Sequence, residues 1–149
     1  MPSISIRRVY DPVSRDGARI LVDRIWPRGL TKRSAHINRW IRSLAPSTAL
    51  RKWFGHKPAR WPEFRRRYRA ELRTHRAELR QLRMLAQRRH VTLVYSARDT
   101  AHNQAVVLRE VLMRGLRRGI SGRKRAASRH FTRTTIHPRR RAATPHRHH

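Results

Sequence analysis

Apolar residues first fall along this chain with a period of two. Ile4, Ile6 and Val9 alternate with polar positions between Ser3 and Tyr10, the pattern of a half-buried strand. Asp11, Pro12, Ser14, Asp16 and Gly17 then supply the residue types of a turn-rich loop. Ala18 to Ile25, with Ile20, Leu21 and Val22, predicts a second and more buried strand. It runs into Trp26-Pro27-Arg28-Gly29, which cannot continue regular structure. Much later, His90 to Ala97 carries the near-continuous apolar run Val91, Leu93, Val94 and Tyr95, as expected for a strand covered on both faces.

Between these strands the period changes to that of a helix. Ser34 is placed to cap a short helix with Ile37, Trp40, Ile41 and Leu44 on one face, stopped by Pro46. Ser47 caps a second, with Leu50, Trp53 and Phe54, closed by Gly55. A single long helix is predicted from Trp61, with Pro62 in its first turn and Trp61, Phe64, Tyr68, Leu72, Leu79, Leu82, Leu85 and Ala86 on one face. Arginines fill most of its remaining positions. After the third strand, Arg98-Asp99-Thr100 leads to a helix from Ala101 to Arg114 with Thr100 as its N-cap. Strands separated by helical stretches predict an α/β domain: a small, mainly parallel sheet of three or slightly more strands, covered by helices.

The hydrophobic period stops near Gly115, and charge divides the chain at the same place. All eight acidic residues precede it, while residues 115–149 hold basic residues and no acid. Mutual repulsion with almost nothing to bury predicts a disordered arginine-rich tail over 115–149, leaving 1–114 as the one folded domain. The net charge of +30 implies non-specific, salt-sensitive attraction to polyanions. Only four of the 38 basic residues are lysine. So lopsided an arginine usage also fits a GC-rich coding bias, which tempers any inference from charge alone.

Zero cysteines exclude a disulfide framework, a thiol nucleophile and a thiolate metal site. No stretch reaches the roughly 18 apolar residues of a membrane span, and the strand-like first ten residues lack the apolar region of a signal peptide. The expectation is a cytoplasmic protein with no membrane partner. No glycine-rich nucleotide loop and no carboxylate cluster for a metal is present, so no cofactor or metal is expected.

Two loops carry candidate chemistry. Ligand sites in parallel sheets gather at the carboxyl ends of strands, where Asp23-Arg24-Ile25-Trp26-Pro27-Arg28 leaves the second strand. There Asp23 either pairs with a flanking arginine to pin the loop, or does so while leaving a guanidinium free for an anion. The second loop, Tyr95-Ser96-Ala97-Arg98-Asp99-Thr100 with His102 and Asn103, joins a strand to a helix start, where backbone N–H groups favour anions. Its polar residues serve either as ligand donors or, for Asp99 and Thr100, only as caps. His56, at a helix end among basic neighbours, is a lesser general-base candidate. The terminal His146, His148 and His149 suggest at most adventitious metal binding.

Four segments together resemble the YeaO-like bacterial proteins, a domain-of-unknown-function family: Arg8-Val-Tyr-Asp-Pro, Leu21-Val-Asp-Arg-Ile-Trp-Pro-Arg-Gly, Leu44-Ala-Pro-Ser-Thr-Ala-Leu-Arg-Lys-Trp-Phe-Gly-His and Val94-Tyr-Ser-Ala-Arg-Asp-Thr-Ala-His-Asn. The resemblance spans roughly residues 5 to 114. It implies an α/β fold and a cytoplasmic bacterial protein, but no particular activity. More distant relatives look as if they carry cysteines after the last strand, where this chain has Tyr95 and Ser96, so thiol chemistry does not carry over.

The leading expectation is a pocket at the strand ends binding a small anionic, phosphate-bearing ligand. Arg24, Arg28, Ser96, Arg98 and Asn103 would line it. If it is catalytic, His102 would carry a proton and Asp23 would orient it. The alternative is a nucleic-acid-binding accessory protein that uses residues 115–149 and the long helix, with Trp26 or Trp53 stacking if exposed. The sequence leaves open whether the protein is an enzyme, and its oligomeric state.

Overall fold

The computed structural model describes residues 3–133. The chain divides into two compact units, Met1–Arg117 and Arg118–His149. The first unit is built on four parallel strands: β1 (Ile4–Arg8), β2 (Ala18–Leu21), β3 (Arg39–Trp40) and β4 (Val91–Tyr95), in the order β1-β4-β2-β3. The predicted α/β class and parallel sheet are thus observed. All five residues of β4 are buried, as its central place and continuous apolar run require.

The pleat sorts side chains to two faces. Ile20, Val91, Leu93 and Tyr95 join one large core with helices α1 (Thr48–Phe54), α2 (Trp61–Leu72), α3 (Arg76–Arg88) and α4 (Gln104–Arg133). Leu21 and Val94 point the other way, into a smaller core with Val9, Ala35 and Ile37, to which Trp26, Leu30 and Trp40 add partial cover. Helices therefore cover one face, and the irregular segment after β2 covers the other.

That segment corrects the helix expected from Ser34. Ser34 closes a turn with Thr31 instead of capping a helix, and His36 has a left-handed backbone, φ 52°. The chain then pairs with β2: Asn38 N–H donates to Arg19 O at 2.9 Å, and Ile41 N–H to Leu21 O at 3.0 Å. Here Arg39–Trp40 form β3, followed by a single 3-10 turn at Arg42–Leu44.

The helix capped by Ser47 is as expected: its hydroxyl accepts Leu50 N–H, and Gly55 ends α1 in a left-handed conformation. The single long helix from Trp61 is in fact two. α2 ends at Leu72, where Thr74 Oγ1 donates to Glu71 O at 2.7 Å and the Thr74 and His75 N–H groups reach back three residues. The last helix starts at Gln104, not Ala101, and its cap is Asn103, whose Oδ1 accepts Val106 N–H at 3.2 Å; Thr100 is exposed. It runs past the expected end at Arg114, through Gly115 and Gly119, to Arg133. Of the tail expected to be disordered, residues 134–149 lie outside the described residues.

Candidate functional site

The two candidate loops meet. β2 and β4 lie side by side, so their parallel exits bring Asp23 and Ser96 together at the carboxyl edge of the sheet. Asp23 is buried, 6% exposed. Its Oδ2 accepts the Ser96 backbone N–H at 3.1 Å and the Ser96 hydroxyl, and its Oδ1 accepts Gln104 Nε2 at 2.6 Å. Burial pushes the Asp23 carboxyl above its ordinary range, and the bonds from Ser96 and Gln104 only partly offset that.

The expected Asp23–arginine pair does not form. Consecutive residues leaving a strand point to opposite sides. Arg24 accordingly turns away to donate to Pro46 O at 2.8 Å and Ala45 O at 3.3 Å. Arg8 does the same for the other loop, donating to Ala97 O at 3.0 Å. Both guanidiniums hold loop carbonyls.

His102 Nδ1 lies 2.9 Å from Asp99 Oδ2, while Asp99 Oδ1 accepts the Ala101 and His102 N–H groups. Those bonds, Ala101 first, hold the Asp99 carboxyl below its ordinary value. The carboxylate beside His102 is therefore Asp99; Asp23, expected to orient it, does not contact it. The His102 ring also meets Trp61 edge-on, centroids 5.2 Å apart. Asn103 is buried and donates to Asp99 O, so it braces the loop as well as capping α4.

A cavity of about 560 Å³ opens between these groups. Asp23, Ser96, Asp99 and Gln104 are among its polar lining, and Ile25, Pro46, Phe54, Phe64 and Ala97 make its apolar lining. Arg24, Arg51, Arg98, His56, His102 and Asn103 also line it. His56 reaches it from a left-handed backbone, φ 57°, directly after the left-handed Gly55. Arg28 is not part of this cavity. It lines a separate groove of about 520 Å³ with Arg8, Tyr10, Trp26 and Pro27, which shares Ile25, Ser96 and Arg98 with the first. Among the described residues, no group of three or more His, Asp or Glu side chains could hold a metal ion.

Residues 3–131 match the family model described as the inactive DUF488-N3 subclade, DUF488-N3i. The chain belongs to this family. Within it, the chain is similar to the Escherichia coli (strain K12) protein named Uncharacterized protein YeaO, 43% identical over 111 residues, which cover 74% of this chain and 96% of that protein. The Mycobacterium tuberculosis (strain H37Rv) protein named Uncharacterized protein Rv3073c is 42% identical over 110 residues, covering 73% of this chain and 92% of that one. No solved structure matches the chain. The YeaO-like resemblance is thus established, and the DUF488-N3i match extends into α4.

In this member of DUF488-N3i, Asp23, Arg24, Ser96, Arg98, His102 and Asn103 share one cavity, while Arg28 stands outside it. Sequence reasoning missed Gln104, whose partner Asp23 lies 81 residues away. It also read Asp99 only as a cap, although Asp99 and His102 sit three apart, a spacing that lets side chains in a tight turn meet. Among the described residues, no helix is long and apolar enough to cross a membrane.

Proposed function

We propose that the cavity at the carboxyl edge of the sheet binds a small organic ligand bearing an anionic, phosphate-type group, and that its function is binding rather than turnover. The observation that carries this reading is the gathering of Ser96, Arg98, His102 and Asn103 with Ile25, Phe54 and Phe64 around one partly open cavity. Pockets of this size, mostly apolar with a few convergent polar groups, are the usual form of a small-molecule site. Arg51 and Arg98 are exposed, and among the described residues their guanidiniums have no partner. A ligand anion would give them one. His102, fixed at Nδ1 by Asp99, keeps Nε2 available to a ligand. In this reading Asp23 and Arg24 build the floor rather than react. The family's description as an inactive subclade supports binding over catalysis.

A thermal-shift panel of phosphorylated metabolites and their dephosphorylated counterparts tests the reading. Phosphorylated members should raise Tm, and Arg98→Ala and His102→Ala should abolish the rise while folding normally. No shift across the panel overturns it.

The second reading, sequence-independent nucleic-acid binding, rests on the net charge of +30. Stacking contributes little to it. Trp53 is half-buried and flanked by the Arg60 and Arg67 guanidiniums, 5.1 and 4.4 Å from its ring, and Trp26 packs edge-on against Trp40. Filter binding at two salt concentrations separates the readings: polyanion affinity falls steeply with salt, and a ligand held in a cavity is screened less.

A further inference from the structure

We propose that the groove lined by Arg8, Tyr10, Trp26, Arg28 and Arg98 is the phosphate subsite of the same ligand. The adjoining cavity would then hold that ligand's planar body, making it a nucleoside monophosphate, free or at the 5′ end of a strand. This rests on the binding reading above and assigns its parts.

Charge separates the two spaces. The cavity lining sets two carboxylates, Asp23 and Asp99, against Arg24, Arg51 and Arg98, whereas the groove lining holds three arginines and no acid. A phosphate dianion placed beside Asp23 would meet a buried carboxylate, so the repulsion favours the groove. Arg28 and Arg98 are exposed there, and neither guanidinium has a partner among the described residues. Arg8 adds a fixed charge, held by Ala97 O and lying 5.2 Å from the Tyr10 ring. The groove is also braced in advance. Tyr10 OH donates to Arg28 O at 3.0 Å, and Trp26 Nε1 donates to Leu30 O at 2.6 Å across the left-handed Gly29.

The cavity suits the remainder of such a molecule. Phe54, Phe64 and Ile25 offer apolar faces, and the Asp99 carboxylate at its edge can accept from ring or exocyclic N–H groups. Ile25, Ser96 and Arg98 border both spaces, so one ligand can bridge them.

Calorimetric titration of the full chain with adenosine, adenosine 5′-monophosphate and inorganic phosphate tests this. The monophosphate should bind at least tenfold more tightly than adenosine or phosphate. Arg28→Gln should weaken the monophosphate about tenfold while leaving adenosine unchanged. Arg73→Gln, an equal charge loss at an exposed position outside both spaces, should change neither. If the monophosphate outbinds adenosine but Arg28→Gln and Arg73→Gln act alike, the groove subsite is overturned and the cavity reading stands. If adenosine and the monophosphate bind alike, the phosphate contributes nothing and the nucleotide subsite is overturned. Phosphate binding as tightly as the monophosphate overturns the nucleotide assignment. If all three fail to bind, and the metabolite panel gives no shift either, both readings fall. A 5′-phosphorylated tetranucleotide that outbinds both its 5′-hydroxyl form and the free monophosphate would assign the subsite to a strand end.

Discussion

Asp23 and Ser96 lock the exits of the two central strands together, with both the backbone N–H and the hydroxyl of Ser96 donating to one carboxylate oxygen. Asp23 is buried, and its carboxyl has a folded-state pKa above its ordinary value of 3.8 because of desolvation. The unfolded chain therefore ionises first, so Asp23 lowers stability as pH rises from 3.8 through its folded value. Asp23→Asn keeps the acceptor for Ser96, and the Gln104 amide can turn to accept from the new amide. Its stability at pH 7 should stay within about 1 kcal/mol of the parent or rise. Asp23→Ala strands the Ser96 N–H, the Ser96 hydroxyl and the Gln104 amide, and should cost about 2–3 kcal/mol. Urea unfolding of the two variants at pH 5 and 7 checks this; equal losses would refute the assignment.

Asp16 has the opposite sign. Burial pushes its carboxyl up, but bonds and charge from Arg7 and from the buried Arg19 outweigh that and lower it. Its contribution is present above pH 3.8 and is lost as pH falls through the lowered folded value. Asp16→Asn should cost about 3–5 kcal/mol at pH 7, because Arg19 keeps a buried, unpaired charge. The deficit should shrink toward pH 2, measured as the difference in unfolding free energy across the acid range.

Gly17 tests the turn into β2. Its φ is +63°, and an added Cβ would collide with the backbone carbonyl of His90. Backbone cannot swing aside as a side chain would. Gly17→Ala should therefore lose at least about 2 kcal/mol, whereas Gly29→Ala, with open space around it, should lose only the cost of its positive φ, about 1 kcal/mol. Equal effects would place the strain elsewhere.

Arg24 and Arg28 separate scaffold from ligand contact. Arg24→Ala removes the donor to Pro46 O and Ala45 O and should cost about 1.5–3 kcal/mol. Lysine should not restore it, since one ammonium cannot reproduce the fork. Arg28→Ala should change stability by less than about 0.5 kcal/mol, as for other exposed side chains. Thermal unfolding of the three variants reads the difference.

Strands β1, β2 and β4 and helix α1 are legible because their signals are local: a period of two, a continuous apolar run, or a serine cap and a glycine stop. The segment after Ser34 is not. Ile37, Ile41 and Leu44 repeat at helical spacing, yet Ile37 enters the small core while Ile41 and Leu44 enter the large one. A repeat that looks like one helix face is two sheet faces. The break after Leu72 hides for a related reason, since Leu72 and Leu79 stand seven apart and hold their phase across it. The site's outline followed from strand ends, but its wiring depends on partners distant in sequence. Asp23 meets Gln104 and Arg24 meets Pro46, pairings that spacing cannot reveal.

Where the folded core ends is the last test. The end of the hydrophobic period and the division of charge both place the expected boundary near Gly115. Yet Leu116 is 2% exposed and belongs to the large core, and α4 passes through Gly115 under the Arg83 guanidinium, which donates to Val111 O. A chain ending after Arg114 should therefore lose about 2–4 kcal/mol, the usual loss for deleting a buried leucine. One ending after Arg117 should unfold within about 1 kcal/mol of the full chain. Ten basic residues and no acidic ones lie beyond Arg117. The Arg117 truncation should thus keep its fold yet show a shallower salt dependence of polyanion binding, because fewer counterions are released. If the two truncations prove equally stable, Leu116 is not a working part of the core.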